Sequence, residues 1–376
     1  MKLSSGLKKP ALETLQVPDI VSDADGSTFV SNVRRVGSYD VLESGSTISP
    51  GRPRTYRPRE MPLTLLPDGD DITRRTDIFE EQTAILDKFM CSGADSYWPL
   101  TDILADSGAL RHLYTFVIGT NQGKDFCFRI NVQIVGEGVL ALEDVTTPAN
   151  PRAYNRRMSH DVPVVAPGGR SDALAHYRIL HFDFRGIGVL LRLSVEAEMP
   201  CVTETADNVS ESSNLVTPTV DTVMFRAVPI KQQINWIQRG LIPPLLFGDI
   251  RRIAIGRHMN GVFSRIEVRA VDERSLLDGR PRAVDAMCKL RALLQILREK
   301  ILAHGGRPGG KHFSLAVFKG GRVQLYENKN PLPRLSPEVK VRMVDLERKK
   351  RGMRESSTMN FKGSQAMAAE KGVCGL

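Results

Sequence analysis

The chain has 376 residues, of which 41% are apolar and 25% are charged, a composition typical of a soluble globular protein with a real core. It carries 52 lysines and arginines against 43 aspartates and glutamates, and the net charge of +9 favours acidic partners such as nucleic acid without defining a site. The 5 cysteines form no closely spaced pair, which argues against a disulfide framework or a structural zinc site. No apolar run is long enough to cross a bilayer. We therefore expect an intracellular protein, cytoplasmic or nuclear, without a membrane partner.

Polarity and charge divide the chain into three parts. Residues 1–28 are polar and are predicted to form a disordered arm, and residues 29–336 are predicted to form a single α+β domain. Residues 337–376 are predicted to form a basic, disordered tail, because "EVKVRMVDLERKKRGMR" concentrates much of the positive charge. Such a tail is a candidate for nucleic-acid binding or nuclear import.

The first half of the domain begins with predicted helices and continues with segments in which apolar and polar residues alternate, as in strands. Apolar spacing predicts an amphipathic helix over residues 74–90 and a second around residues 108–117. Strict alternation then predicts a hairpin over residues 125–144, about a glycine-rich turn. Two further strands are predicted between His176 and Pro200.

The second half of the domain contains the clearest helix of the chain. A strand is predicted over residues 222–236 and a strand–turn–strand pair over residues 251–271. Pro281 near the start, a leucine-rich face and a final pair of glycines predict a helix over residues 281–306, followed by a hairpin over residues 312–328. Together these elements predict an α+β fold, a curved and mostly antiparallel sheet with flanking helices.

The segment that ends in Glu196 and Glu198 raises a question of function. Alternate residues of a strand share one face, so both carboxylates can hold one divalent cation. The simpler interpretation is that they are solvated acids on the open face of an ordinary strand.

Several segments resemble a group of uncharacterised fungal proteins. These are "FVSNVRRVGSYDVLESGSTISPGRPRTYRP", "FRINVQIVGEGVLALED", "HYRILHFDFRGIGVLLRL" and the "GRVQL" hairpin, in that order and spacing across most of residues 29–330. Some proteins of this group are labelled geranylgeranyl pyrophosphate synthetase. Prenyl synthases hold magnesium with two aspartate-rich motifs, whereas the acidic cluster here, Asp68, Asp70 and Asp71, lacks their spacing and has no second copy. A prenyl diphosphate synthase is therefore a disfavoured alternative.

The fungal group in turn is similar to the decapping-exonuclease family, which has a PD-(D/E)XK-like core. That resemblance implies an E-x-D motif on one strand and a D/E-x-K motif on the next, which together hold a metal ion and activate water. In register, Ser194 replaces the first acid and Glu196 retains the second. Pro229 replaces the third acid, and Lys231 retains the base. A shifted register instead offers Glu196 and Glu198 as the acid pair.

The missing acids lead to two functional hypotheses. The first is a degenerate, non-catalytic decapping-nuclease-like protein that needs no cofactor and binds RNA or a protein partner through a basic surface. The alternative is an active metal-dependent phosphodiesterase or RNA 5′-end nuclease. It would use magnesium or manganese, with Glu196 and Glu198 as metal ligands and Lys231 as the catalytic base. The two differ in whether these three residues converge with a further acid.

Overall fold

The protein is described by a computed structural model. The described residues are 5–17, 28–42, 44, 46–67, 94–119, 127–135, 138–145, 158–159, 161–166, 169–200, 220–234, 240–306, 310–317, 322–329, 345–346 and 348. The predicted helix over residues 74–90, the acidic cluster at Asp68 and most of the basic tail lie outside them. In the described part of the chain, no helix is long and apolar enough to cross a membrane.

Fifteen strands follow one another along the described chain. They are β1 (Glu13–Leu15), β2 (Val30–Leu42), β3 (Thr47–Ile48), β4 (Leu63–Thr64), β5 (Ile103–Asp106), β6 (Phe128–Val135), β7 (Val139–Asp144), β8 (Ala173–Phe184), β9 (Ile187–Val195), β10 (Ala197–Pro200), β11 (Val220–Pro229), β12 (Ile250–Met259), β13 (Val262–Ala270), β14 (Phe313–Val317) and β15 (Val323–Glu327). The helices are α1 (Ser107–Ile118), α2 (Ile242–Phe247), α3 (Glu273–Leu277) and α4 (Pro281–Ala303), with a 3-10 helix at Ala94–Leu100.

The strands form two sheets. The larger has ten strands in the order β1-β15-β14-β6-β7-β5-β9-β8-β2-β3, and the smaller has five in the order β10-β11-β12-β13-β4. Among these strands, β5 is parallel to both of its neighbours, β7 and β9, in the larger sheet, and β11 is parallel to β12 in the smaller one. The other pairs are antiparallel. The predicted α+β class with mostly antiparallel sheets is therefore confirmed. The division into two sheets arises where one residue, Glu196, separates β9 from β10.

The helices cover one face of the ten-stranded sheet. Buried side chains of all four helices join those of the strands in one apolar cluster, in which α4 contributes Leu290, Leu293, Leu294 and Leu297. The opposite face carries a second cluster around Tyr39, Trp98 and Leu104. This arrangement leaves α1, which follows β5 directly, beside the end of the sheet where the chain crosses to the smaller sheet.

A few described residues of both predicted terminal segments contact the folded domain, and the disorder of the rest of these segments stays a prediction. Within the predicted disordered arm, β1 pairs with β15 and Leu15 is buried, while the Glu13 carboxylate binds Lys300 and lies 3.0 Å from His304 Nε2. Within the predicted tail, Leu346 is buried in the second apolar cluster. Single apolar residues in polar segments give no periodic signal, so these attachments escape analysis of the sequence alone.

Candidate functional site

Glu196 lies at the crossing between the two sheets and is held by β11. One carboxylate oxygen accepts a hydrogen bond from the backbone N–H of Phe225, and the other lies 3.4 Å from Nη1 of Arg226. The side chains of Glu196 and Arg226 are both largely buried, with 22% and 18% of their surface exposed. Both oxygens of the carboxylate are thus already engaged by donors of β11.

The strand pairing identifies which residues lie beside Glu196. Ala197 pairs with Val223, so the next position towards β9 places Glu196 beside Met224. Alternation puts Arg226 on the same side of β11 as Met224. The segment facing Glu196 is therefore Met224 to Arg226, five residues before the segment that the sequence register placed there.

Lys231 lies in an exposed turn beyond the end of β11. The last residue of the strand, Pro229, is already about 13 Å beyond Phe225 at the usual rise of a strand. The structure does not bring Lys231 to Glu196, and its catalytic role stays a prediction.

Glu198 is held by a different pair of arginines. Its carboxylate accepts a hydrogen bond from Arg178 and lies 3.7 Å from Nη1 of Arg35. Arg178 also donates to Thr222 Oγ1 at 2.6 Å, which fixes the guanidinium against β11. The two glutamates therefore face separate cations, and their role as metal ligands stays a prediction. Across the described ranges, no group of three His, Cys, Asp or Glu side chains is placed to hold a metal ion.

Two further acids lie at the start of α1. Asp106 caps this helix, accepting hydrogen bonds from the backbone N–H of Ala109 at 2.6 Å and of Asp144 at 2.9 Å. The Asp144 carboxylate lies 3.2 Å from Nε2 of His112, one turn into the helix. The cap thus ties the ends of β5 and β7 to α1.

Arg111 of α1 lies in the electrostatic range of this pair of acids and of Arg226. Burial lowers the pKa of its guanidinium, and its nearest charges are Asp144, Arg226 and Asp106. No hydrogen bond or ion pair joins this guanidinium to another of the residues that the structure describes. We call Asp106, Arg111, Asp144, Glu196 and Arg226 the arginine cluster.

Two acids of the arginine cluster are shifted towards their neutral forms. Burial raises the pKa of Glu196, and the charge of Arg226 and the Phe225 N–H oppose the rise. Burial also raises the pKa of Asp106, and the charge of Asp144 adds to this effect. The arginines keep their charge while these carboxyls lose theirs, so the cluster becomes more positive as the pH falls.

The Glu196→Gln variant is expected to gain stability relative to the wild type as the pH rises. A carboxyl whose pKa is raised by folding contributes stability below its ordinary pKa of 4.5 and loses it as the pH rises through the raised value. Glutamine does not titrate and escapes this loss. The check is the difference in Tm between the two proteins from pH 4 upward. A difference that moves in favour of the wild type would show that Arg226 outweighs burial.

Most of the arginine cluster is missed by reasoning from sequence. A signal for Arg226 exists, since it is the one cation within the otherwise apolar run of "VMFRAV". Arg111 and Asp106 have no such signal. In sequence, an aspartate that caps a helix and an arginine on a helix look the same whether or not they belong to a functional site. Only the pairing of β10 with β11 brings Arg226 to Glu196, and only the position of α1 brings Arg111 into the range of Arg226.

Comparisons with known proteins give no match by sequence. No protein-family model matches the chain, and no curated protein matches it.

Solved structures match it across most of its length. Candida albicans Rai1 in complex with pU5-Mn²⁺ is 11% identical, with a TM-score of 0.62 over 89% of this chain and 99% of that one. S. pombe Rai1 in complex with 3′-FADP is 13% identical, with a TM-score of 0.56 over 83% and 96%. K. lactis Dxo1 in complex with manganese is 11% identical, with a TM-score of 0.51 over 86% and 96%. At such identities the likeness concerns the fold, and the chain has the decapping-nuclease-like core of Rai1 and Dxo1.

Proposed function

We propose that this protein is a non-catalytic, decapping-nuclease-like protein that binds RNA, and that the arginine cluster receives a phosphate group of the RNA. The observation that carries the proposal is the pairing of Glu196 with Arg226. A guanidinium lies where the resemblance implies a metal ion and a catalytic lysine.

The neighbours of Glu196 argue against catalysis by a metal ion. A hard divalent cation takes several oxygen ligands, preferably carboxylates. Here both Glu196 oxygens are engaged, Met224 beside it offers only a thioether, and Ser194 offers a neutral hydroxyl. One carboxylate compensates too little of a divalent charge to bind it well.

The two arginines suit a phosphate group instead. A guanidinium presents its donors in a planar fork that matches two phosphate oxygens. Arg111 is half-buried and its guanidinium makes no hydrogen bond to the described residues, so its donors are available to an anion. The excess of positive charge favours the approach of RNA. The C. albicans neighbour was solved with pU5, which agrees with an RNA ligand for this fold.

Neutralising either arginine is expected to weaken RNA binding. The probe is a short oligouridylate with a 5′ phosphate, and binding is followed by fluorescence anisotropy over a series of salt concentrations. Arg111→Gln and Arg226→Gln should each raise the Kd about tenfold, equivalent to ~1.4 kcal/mol. Each should also reduce the salt slope by roughly one.

Two variants serve as controls. Arg274→Gln removes an exposed arginine of α3 that pairs with Asp278 away from the cluster, and its binding should be unchanged. Arg226→Lys keeps the charge but loses the fork, and its binding should be intermediate. Equal binding by all variants would place the RNA elsewhere. No binding by the wild type would favour a protein partner, and manganese-dependent degradation of the probe would favour the nuclease alternative.

A further inference from the structure

One end of the five-stranded sheet exposes a row of apolar side chains. The N–H of Ile230 donates to the carbonyl oxygen of His258 at 2.9 Å, so the pairing of β11 with β12 continues and sets Ile230 opposite Met259. Met259 in turn pairs with Val262 of β13. These three side chains are 50%, 67% and 44% exposed. Their register places them side by side on one face of the sheet.

The row continues onto the next strand. Val262 pairs with Thr64 of β4, and the N–H of Leu65 donates to the carbonyl oxygen of Gly261 at 2.9 Å. Leu65 is buried, and its neighbour Leu66 is 69% exposed. We call Leu66, Ile230, Met259 and Val262 the apolar row.

The concentration of these side chains is unusual for a free surface. Nine large apolar residues of the described chain are exposed, and four of them form the apolar row. Exposed apolar residues are ordinary when scattered, but a contiguous group marks an interaction site. The tight turn at Asn260-Gly261, with φ of 51° and 88°, holds Met259 and Val262 rigidly in place.

Described positive charges border the apolar row on the side of β11, β12 and β13. Lys231 follows Ile230 directly and is exposed. Arg257 of β12 and Arg265 of β13 lie opposite each other on the neighbouring strands, next to the row. Among the described residues next to these strands, the acid Glu267 lies further along β13 and is already bound to Arg265 and Arg269. The rim is therefore cationic, and two copies of this chain meeting through the row would bring like charges together.

We propose that the apolar row docks a different protein, one that presents apolar side chains within an acidic rim. The apolar contacts would supply affinity, and the rim would select the partner by charge. This inference is independent of RNA binding at the arginine cluster. The arginine cluster uses Arg226 of β11, whereas Ile230 lies beyond the end of that strand, four residues after Arg226.

The test uses a photoreactive benzoylphenylalanine at position 259 of the full chain, with the same group at position 302 as the matched control. Leu302 is also exposed but lies on α4. Extract of the source organism is treated with ribonuclease before irradiation. We expect an adduct with an acidic protein at position 259 and none at position 302. Adding Ile230→Asp should abolish it.

The captured protein is then purified and its binding to the full chain is measured. Met259→Asp should raise the Kd at least tenfold and Lys231→Glu several-fold, while Leu302→Asp should leave the Kd unchanged. A cross-link between two copies of the chain would overturn the proposal. The same holds for a basic partner, for an adduct that forms only in a parallel sample without ribonuclease, for equal capture at both positions and for the absence of any adduct.

Discussion

Replacing Gly188 with alanine is expected to abolish folding of the protein. A Cβ atom at this position would lie 1.6 Å from the carbonyl oxygen of Leu100, far inside any allowed contact. The backbone cannot move away easily. Gly188 accepts a hydrogen bond from the Asp102 N–H at 2.7 Å and donates one to Asp102 Oδ2 at 3.0 Å. We expect a loss of more than about 4 kcal/mol, a large part of the stability of an ordinary domain.

The measurement is the soluble yield and Tm of Gly188→Ala. Gly279→Ala is the comparison, because Gly279 has a φ of 67° but open space around it. It should cost only about 1 kcal/mol through backbone strain. A Gly188→Ala protein with a Tm near that of Gly279→Ala would show that β5 and β9 can separate.

The close approach at Gly188 matters because it positions the arginine cluster. It brings β5 against β9 in parallel, and the same pairing continues to Asp106 opposite Arg192. Asp106 then caps α1, so the helix starts at a fixed point relative to β9. Arg111 is carried on the second turn of that helix. Gly188 therefore helps to fix the position of Arg111 relative to β9.

Local signals in the sequence were enough to predict most single elements. The Asn-Gly pair at 260–261 gives the β12–β13 hairpin, and Pro281 with the following leucines gives α4. The α+β class followed from these. The partition into two sheets did not, because it depends on pairings between segments far apart in sequence. Only contacts across the fold decide that β10 leaves the larger sheet and joins β11.

The candidate site could be predicted only in part for a similar reason. The resemblance to decapping exonucleases led to Glu196, which does lie at the crossing of the sheets. The same resemblance led to Lys231 through a register that the sequence could not check. Arg226 and Lys231 are five residues apart, and neither follows an acid by two residues, so no complete D/E-x-K motif fixes the register. The pairing of Ala197 with Val223 decides between them, and it favours Arg226.

Restoring acids beside Glu196 is expected to create a manganese site that the wild type lacks. In the variant Ser194→Glu, Met224→Glu and Arg226→Lys, three carboxylates would meet at the crossing between β9 and β11, with a lysine next to them. Removing the guanidinium frees one Glu196 oxygen. Three carboxylates repel one another without a cation, so manganese should bind the variant at least a hundredfold more tightly than it binds the wild type. Calorimetric titration with manganese chloride measures the difference.

The matched control has the same number of added acids, but it places one of them according to the register that the sequence resemblance implies. Ser194→Glu with Pro229→Asp adds two acids as well, and it keeps Lys231, but it places the second acid about 13 Å beyond Phe225. It should therefore gain almost no affinity for manganese. Met224 is 6% exposed, so a glutamate there should lower the Tm of the triple variant, and manganese should restore it. Equal gains by both variants would contradict the strand pairing. Tight binding by the wild type would contradict the non-catalytic function, because it would mean that manganese displaces Arg226 from Glu196.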